Sequence, residues 1–432
     1  MRQLITLAVT AALVLVARPS AAQDSAEVQK EIEAYQKKQA ETLAQLAKKA
    51  THDQVTEIKV APKEGRSLQT LCLDGDGRVL AVVAPPRGYG APVKNATSEV
   101  QVFSPDGKAV TSWKVPFHAH AINAGPDGTV YVAGDAKVAR FDKAGKALGE
   151  PVELPHVAEL TKDKDALKKK AEDRFKREKV ENEQSMKEIK KQFEDQIKKL
   201  EAKKEEDRTK TEKRQLEQYK AILKSYEEND NYYAKRTVDD VLKDMVGRLQ
   251  IINGIAVGET DVFVACGEIE GWGYAVWRLD RDLTNPKKVL SDVGGCCGQM
   301  DVQVMGKDLL VAENTKHQFA RYDRDGKKIG GYGKRGEDTN PACFGGCCNP
   351  MNVRACGGDI LTAESEGVVK RFSGTGEFKE VVGTVKIGGG CKNVAVAANA
   401  DGSKVYFCDQ PGGRFFIMSK SAGKKTGETT NQ

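Results

Sequence analysis

Hydrophobic and polar positions divide the chain into stretches of different period. From residue 24 to about 52, Val28, Ile32, Tyr35, Leu43 and Leu46 recur at helical spacing among Lys, Glu and Gln. That spacing predicts an amphipathic helix whose narrow apolar stripe needs a partner. From about residue 55 the pattern becomes short apolar runs separated by Gly, Asp and Pro, the signature of strands and tight turns. Between about 157 and 245 the helical period returns in a segment without Gly or Pro, dense in Lys, Glu, Asp, Arg and Gln.

Within the strand-rich regions one unit recurs about six times. The first copy holds Leu71-Cys72-Leu73-Asp74-Gly75 and Val102-Phe103-Ser104-Pro105-Asp106-Gly107. The second holds Val130-Tyr131-Val132 and Arg140-Phe141-Asp142. The third holds Asp261-Val262-Phe263-Val264 and Trp277-Arg278-Leu279-Asp280. The fourth holds Asp308-Leu309-Leu310-Val311-Ala312-Glu313 and Arg321-Tyr322-Asp323. The fifth holds Asp359-Ile360-Leu361-Thr362-Ala363-Glu364 and Lys370-Arg371-Phe372. The sixth holds Lys404-Val405-Tyr406-Phe407 and Arg414-Phe415-Phe416-Ile417. A repeat of roughly 40–50 residues with four short strands is a propeller blade, which buries its two faces only against neighbouring blades. Closing the ring takes a strand from the other terminus, and Thr56–Val60 is placed to join the last blade and cover its edge. The predicted fold is mainly β: a six-bladed β-propeller with an inserted α-helical hairpin (coiled coil) and an N-terminal helix.

An Asp-Gly turn, an apolar run, an acid and then Arg-Phe or Arg-Tyr resembles the NHL repeat, most closely in the fourth and fifth copies. Glu313, Glu364 and Asp409 fall where that repeat often carries an acid. The third copy departs with Cys266 there, and the first with Pro85-Pro86. The resemblance covers about 55 to 420 outside the insertion. It implies a propeller fold and little about function.

In the insertion, Leu167, Ala171 and Phe175 lead into Met186, Ile189, Phe193, Ile197 and Leu200 at near-heptad steps. After a polar stretch at Glu205–Thr211 a second stripe follows in Leu216, Tyr219, Leu223 and Tyr226. Two helices folded back as a hairpin satisfy this pattern, as does one long helix that dimerises. A third helix near Val238–Met245 is placed to dock the hairpin, and the N-terminal helix offers a further stripe against it.

The first residues bear on location. Arg2, the apolar run Leu4–Val16 and Ser20-Ala21-Ala22 form a signal peptide with cleavage near Ala22. No later apolar stretch is long enough to span a bilayer. The sequence therefore predicts an exported chain, periplasmic or extracellular. Its segments are a signal peptide 1–22, an N-terminal helix 23–54, blades one and two 55–156, the helical insertion 157–245, blades three to six 246–420 and a disordered polar tail 421–432. A net charge of +6 over 432 residues, with no cluster of basic and aromatic residues, excludes nucleic acid as the expected partner.

Export makes the ten cysteines the main chemical signal, since an oxidising compartment permits disulfides. Gly-Gly-Cys296-Cys297 opens the fourth unit, Gly-Gly-Cys347-Cys348 the fifth and Gly-Gly-Gly-Cys391 the sixth. His118 and His120 stand at nearly the same place in the second. In a propeller such positions converge on the central channel. Three readings of this ring compete. Cys296, Cys297, Cys343, Cys347, Cys348 and Cys391 are disulfide candidates. The same ring, Cys296, Cys297, Cys347, Cys348 and Cys391 with His118 and His120, suits copper or zinc as cofactor. Vicinal cysteines also suit thiol exchange. Cys72 reads as core, and Cys266, Cys356 and Cys408 as packed or paired strand residues. Asp301, Asn352, Asn123 and Asn393 are placed to line the channel as oxygen ligands, but read first as strand-end hydrogen-bonding groups. No haem-attachment, phosphate-loop or nucleophile-elbow motif occurs. The leading expectation is a non-enzymatic binding or scaffold module for a protein or small-ligand partner, through the propeller face or the helical insertion. The alternative is a metal-binding or thiol-redox protein centred on the Cys/His ring.

Overall fold

The computed structural model describes residues 24–60, 65–86, 96–269, 273–296, 299–337, 339–346, 348–387 and 393–420, with the side chains of 24–32, 35 and 226–234 left aside. The predicted signal peptide and polar tail lie outside the described residues, as do Cys297, Cys347 and Cys391.

The strands form six four-stranded antiparallel sheets. Five are consecutive meanders: 67–115, 121–153, 252–293, 302–332 and 352–384 (blades 1 to 5). Blade 6 takes three strands from 394–419 and its outer strand, Gln54–Lys59, from the start of the propeller, in register from Gln54↔Ser419 to Lys59↔Arg414. The expected closing strand is therefore formed. It covers the edge of Arg414–Ser419 and ties the two ends of the ring together.

Alternation within each blade explains why the second strands read as unbroken apolar runs. In blade 3, Val262, Val264 and Cys266 face blade 2 while Phe263 and Ala265 face blade 4. In blade 4, Leu309 and Val311 face backward and Leu310 and Ala312 forward. In blade 6, Val405 and Phe407 meet blade 5, and Tyr406 and Cys408 meet blade 1. A strand buried on both faces has no polar side to show. Each of the six gaps between neighbouring blades carries its own apolar layer, including the gap between blades 6 and 1. The inner strands accordingly run Ser67–Leu73, Ala121–Ala124, Ile252–Val257, Val302–Met305, Asn352–Cys356 and Val394–Ala398 around one axis, each packed on the next and the last on the first. At the blade rims Asp or Ser side chains close the turns: Asp323 Oδ1 accepts from Asp325 N and Lys327 N at 3.0 and 2.8 Å.

The insertion leaves blade 2 through a short helix, Pro155–Thr161, and returns to blade 3. Its first long helix, Lys164–Glu201, has 38 residues, about 57 Å of rise. A turn then leads into Lys210–Lys235, so the chain folds back as a hairpin, with Phe193 and Tyr219 rings 5.4 Å apart. Arg208 holds the turn by donating to the terminal carbonyls of Leu200 and Glu201. The third helix, Val238–Gln250, starts with a capping box from Thr237 and Asp240. Its Val241 and Met245 bury against Leu167 and Ala171 and so root the hairpin.

The N-terminal helix, Asp24–Lys49, does not extend this bundle. Leu46 and Ala50 pack on Val368 and Val381 of blade 5, beside Leu43 and Phe378. Thr51 N and His52 N then donate to Val381 O and Val382 O. The covalent lead into Gln54–Lys59 fixes that position: the helix must end beside blade 6, on the far side of the ring from the hairpin root.

Candidate functional site

The inner strands leave a small polar cavity of about 50 Å³ on the axis, partly open to solvent, lined among others by Gln69, His120, Asn253, Gln299, Arg354 and Gln410. Its polarity follows from repeat position. Polar residues on and beside the inner strands stitch one blade to another. Asn123 Nδ2 donates to Ile255 O at 2.9 Å (blade 2 to 3). Asp301 accepts from Val353 N at 2.9 Å (4 to 5). Asn352 accepts from Val396 N at 2.9 Å (5 to 6), and Gln410 donates to Gln69 at 3.1 Å (6 to 1). Gln299 spans further: its side-chain amide pairs with both backbone groups of Val394, linking blade 4 to blade 6. Asn123, Asp301 and Asn352 thus do what their sequence positions predicted, and Asn393 lines the cavity.

Arg354 is the cation of this wall. Its Nη1 donates to the Asp301 carboxylate and, at 2.7 Å, to Val353 O. Its Nε is buried without an acceptor, and the side chain borders the cavity. Burial pushes the Asp301 carboxyl up from its ordinary pKa, while Arg354 and the Val353 N–H favour the ionised form.

The acids at the ends of the second strands of blades 4, 5 and 6 are buried and each is paired with a cation. Glu313 meets Lys316 at 3.2 Å and Tyr322 Oη at 2.8 Å. Asp409 meets Arg414 at 2.9 Å. Glu364 meets the buried Lys370 at 2.5 Å, and Lys370 also donates to Cys343 O. Blade 2 carries Asp135 at this place, and here the environment differs: its carboxylate accepts from His118 N at 3.0 Å. His118, His120 and Asp135 bring one ligand atom each within 4.8 Å of one another. Asp135 escaped the sequence reading, although its repeat register with Glu313, Glu364 and Asp409 marks it.

The cysteines of the proposed ring divide. Cys348 is buried in the layer between blades 5 and 6 with Met351, Val385 and Val394, and Cys296 packs against the same layer. His118 and His120 stand across the ring in blade 2. Among the described residues, the only cluster of three or more potential metal ligands contains no cysteine, and no disulfide joins two described cysteines. Cys343, a disulfide candidate beside Cys347 and Cys348, is buried and joins no described cysteine. Cys72, Cys266, Cys356 and Cys408 likewise join none and fill strand positions.

No protein-family model and no curated protein matches the sequence. Among solved structures, the chain is similar to the RRP9 WD40 repeats (7% identity, TM-score 0.42, 86% of this chain and 99% of that one). It is also similar to a calcium-binding protein, regucalcin, from Agrobacterium tumefaciens (12%, 0.40, 84% and 95%). A third is a structural genomics protein of unknown function from Bacteroides thetaiotaomicron (10%, 0.43, 86% and 73%). At such identities and scores the likeness adds nothing to the closed ring of six sheets, which itself establishes a six-bladed β-propeller with an inserted helical hairpin.

Proposed function

We propose that this chain is an exported binding module that takes a small ligand bearing an anionic or carbonyl oxygen in the mouth of its channel. The observation that carries this reading is Arg354: a buried guanidinium N–H without an acceptor, bordering a polar cavity. A buried donor of that kind costs free energy until an acceptor meets it. Amides from several blades converge there to orient a polar molecule. The test is a thermal-shift screen of small carboxylates and sugar acids against the full chain. Ligands that raise Tm should lose the effect in Arg354→Lys, which keeps the charge but not the fork. Equal shifts in both proteins, or none in the wild type, would remove the channel from the function. Export rests on the apolar run Leu4–Val16 before Ser20-Ala21-Ala22; mature protein from the cell envelope should begin near Gln23, and a retained Met1 refutes it.

A protein partner at the hairpin is a second reading. It is supported by a 38-residue helix whose buried residues all lie in its first third, at Leu167, Ala171 and Arg174. Acids and bases alternate over the rest of its length, which favours a protein surface over a polyanion. Replacing residues 176–226 by a short turn should release co-purifying proteins and leave the propeller's Tm unchanged. Retention of every partner removes the arm from binding.

A further inference from the structure

We infer that His118, His120 and Asp135 form a binding site for a borderline divalent cation, zinc or copper, on the blade 2 wall of the channel mouth. The argument starts from His118, which is buried. Its Nε2 lies 2.8 Å from Pro85 O. A carbonyl only accepts, so Nε2 carries a proton, which leaves Nδ1 on the opposite side as the nitrogen available to a metal. That nitrogen lies 3.3 Å from His120 Nε2, with the two rings at 69°. Two nitrogens bound at 2.0–2.1 Å to one tetrahedral ion stand about 3.3 Å apart. A backbone carbonyl holding the outer nitrogen is also the usual outer partner of a ligating histidine.

Backbone geometry brings in the carboxylate. Asp135 has φ 46° and Ala136 φ 61°, a left-handed pair that ends the second strand of blade 2. This places the Asp135 carboxylate under His118 N, at 3.0 Å. All three candidate ligand atoms then fall within 4.8 Å of one another. Two imidazoles and a carboxylate leave a fourth position, and His120 lines the cavity, so that position is open to water or to a ligand oxygen. Sites of this composition with one open position are those that do chemistry rather than only hold a fold. The competing arrangement is a plain hydrogen bond from His120 Nε2 to His118 Nδ1, and the two differ in what a metal does.

The experiment is titration of the full chain, stripped with chelator, with Zn²⁺ by calorimetry and with Co²⁺ by absorption. One ion per chain should bind, and the Co²⁺ form should show d–d bands of a nitrogen and oxygen site without thiolate charge transfer in the near ultraviolet. His120→Gln and Asp135→Asn, each checked for fold by circular dichroism, should weaken binding by more than the roughly 10–100-fold that loss of an outer-shell partner costs. His317→Gln, at a distant blade, should bind as wild type does. Strong thiolate bands, unchanged affinity in both site variants, or no stoichiometric binding would each overturn the site. Metal titration needs no ligand in the channel, so its failure leaves the Arg354 reading standing, and the converse holds.

Discussion

Replacing Lys370 by Met isolates a buried ion pair whose cost changes with pH. Lys370 and Glu364 are both buried. The ammonium lies 2.5 Å from Glu364 Oε1 and 2.5 Å from Cys343 O, and 5.2 Å from the Phe344 ring centre. Burial pushes the Glu364 pKa up to about 7 from 4.5, opposed by Lys370 and reinforced by Glu366. A folded pKa above the unfolded one means that this group's contribution is complete below pH 4.5. It falls as pH rises towards 7, by about 3 kcal/mol at 1.36 kcal/mol per unit. Without the ammonium the folded pKa rises further, so the decline continues above pH 7 in the variant while the wild type has levelled off. Stripping one partner from a buried pair costs roughly 3–5 kcal/mol, and that loss should appear at pH 8.5. At pH 5 Glu364 is protonated in both folded proteins. The variant there loses only the Cys343 carbonyl's partner and gains an apolar contact with Phe344, so the difference should shrink towards zero. Urea unfolding at pH 5, 7 and 8.5 measures this, and adding Glu364→Gln to Lys370→Met should restore most of the loss at pH 8.5. An equal destabilisation at all three pH values would show that Lys370 acts by packing and refute the electrostatic account.

Four further outcomes follow from other parts of the molecule. His156 is fully buried, stacked on Trp277 at 4.6 Å, and burial lowers its pKa to about 4. Its depressed pKa makes wild-type stability fall by about 3 kcal/mol as pH drops from 6.5 to 4, and His156→Phe should flatten that limb; parallel acid profiles would refute the assignment. Gly134 has no room for a methyl, since a Cβ would stand 2.0 Å from His118 O and 2.8 Å from Ala119 Cα. Gly134→Ala should cost about 1–3 kcal/mol in urea unfolding and weaken Zn²⁺ binding through the shifted His118. Met245→Ala opens the hairpin root beside Leu167, Ala171 and Val241, at about 2–5 kcal/mol; amide exchange should accelerate in Lys164–Glu201 and not in the blade strands, and equal acceleration in both would show one cooperative unit. Burial pushes the Cys72 and Cys266 thiols up to about 12 and Cys408 higher still, so all three should resist alkylation at pH 8 until the chain is unfolded.

How much of this was legible in the sequence depends on whether a local pattern or a distant contact decides the outcome. Blade strands such as Val262–Val264 and Leu309–Val311 announce themselves because burial on both faces removes every polar alternative, and the spare strand at Thr56–Val60 follows from counting edges. The hairpin follows from two stripes interrupted by a polar turn that Arg208 caps. The resting place of the N-terminal helix was not legible: Leu43 and Leu46 declare a need for cover and carry no address, and only the pairing of Gln54–Lys59 with blade 6 sends the helix to blade 5 instead of the hairpin.

The channel mouth shows the same division at the scale of single side chains. Repeat register brought His118, His120 and the vicinal cysteines to one end of the ring, and register alone treats them as equivalent. Their neighbours separate them. Cys348 has Met351, Val385 and Val394 around it and is part of an apolar layer, whereas His118 has a carbonyl behind it and a carboxylate below it. The difference arises at the end of the second strand. Blades 4, 5 and 6 place an acid there against Lys or Arg, which neutralises it as a structural pair. Blade 2 places Asp135 there on a left-handed turn against His118 N. Six copies of one scaffold offer six equivalent positions for an acid, and the group that faces it decides its part: a cation from the following turn or third strand makes it a structural pair, whereas the His118 N–H from the preceding loop leaves it beside two imidazoles.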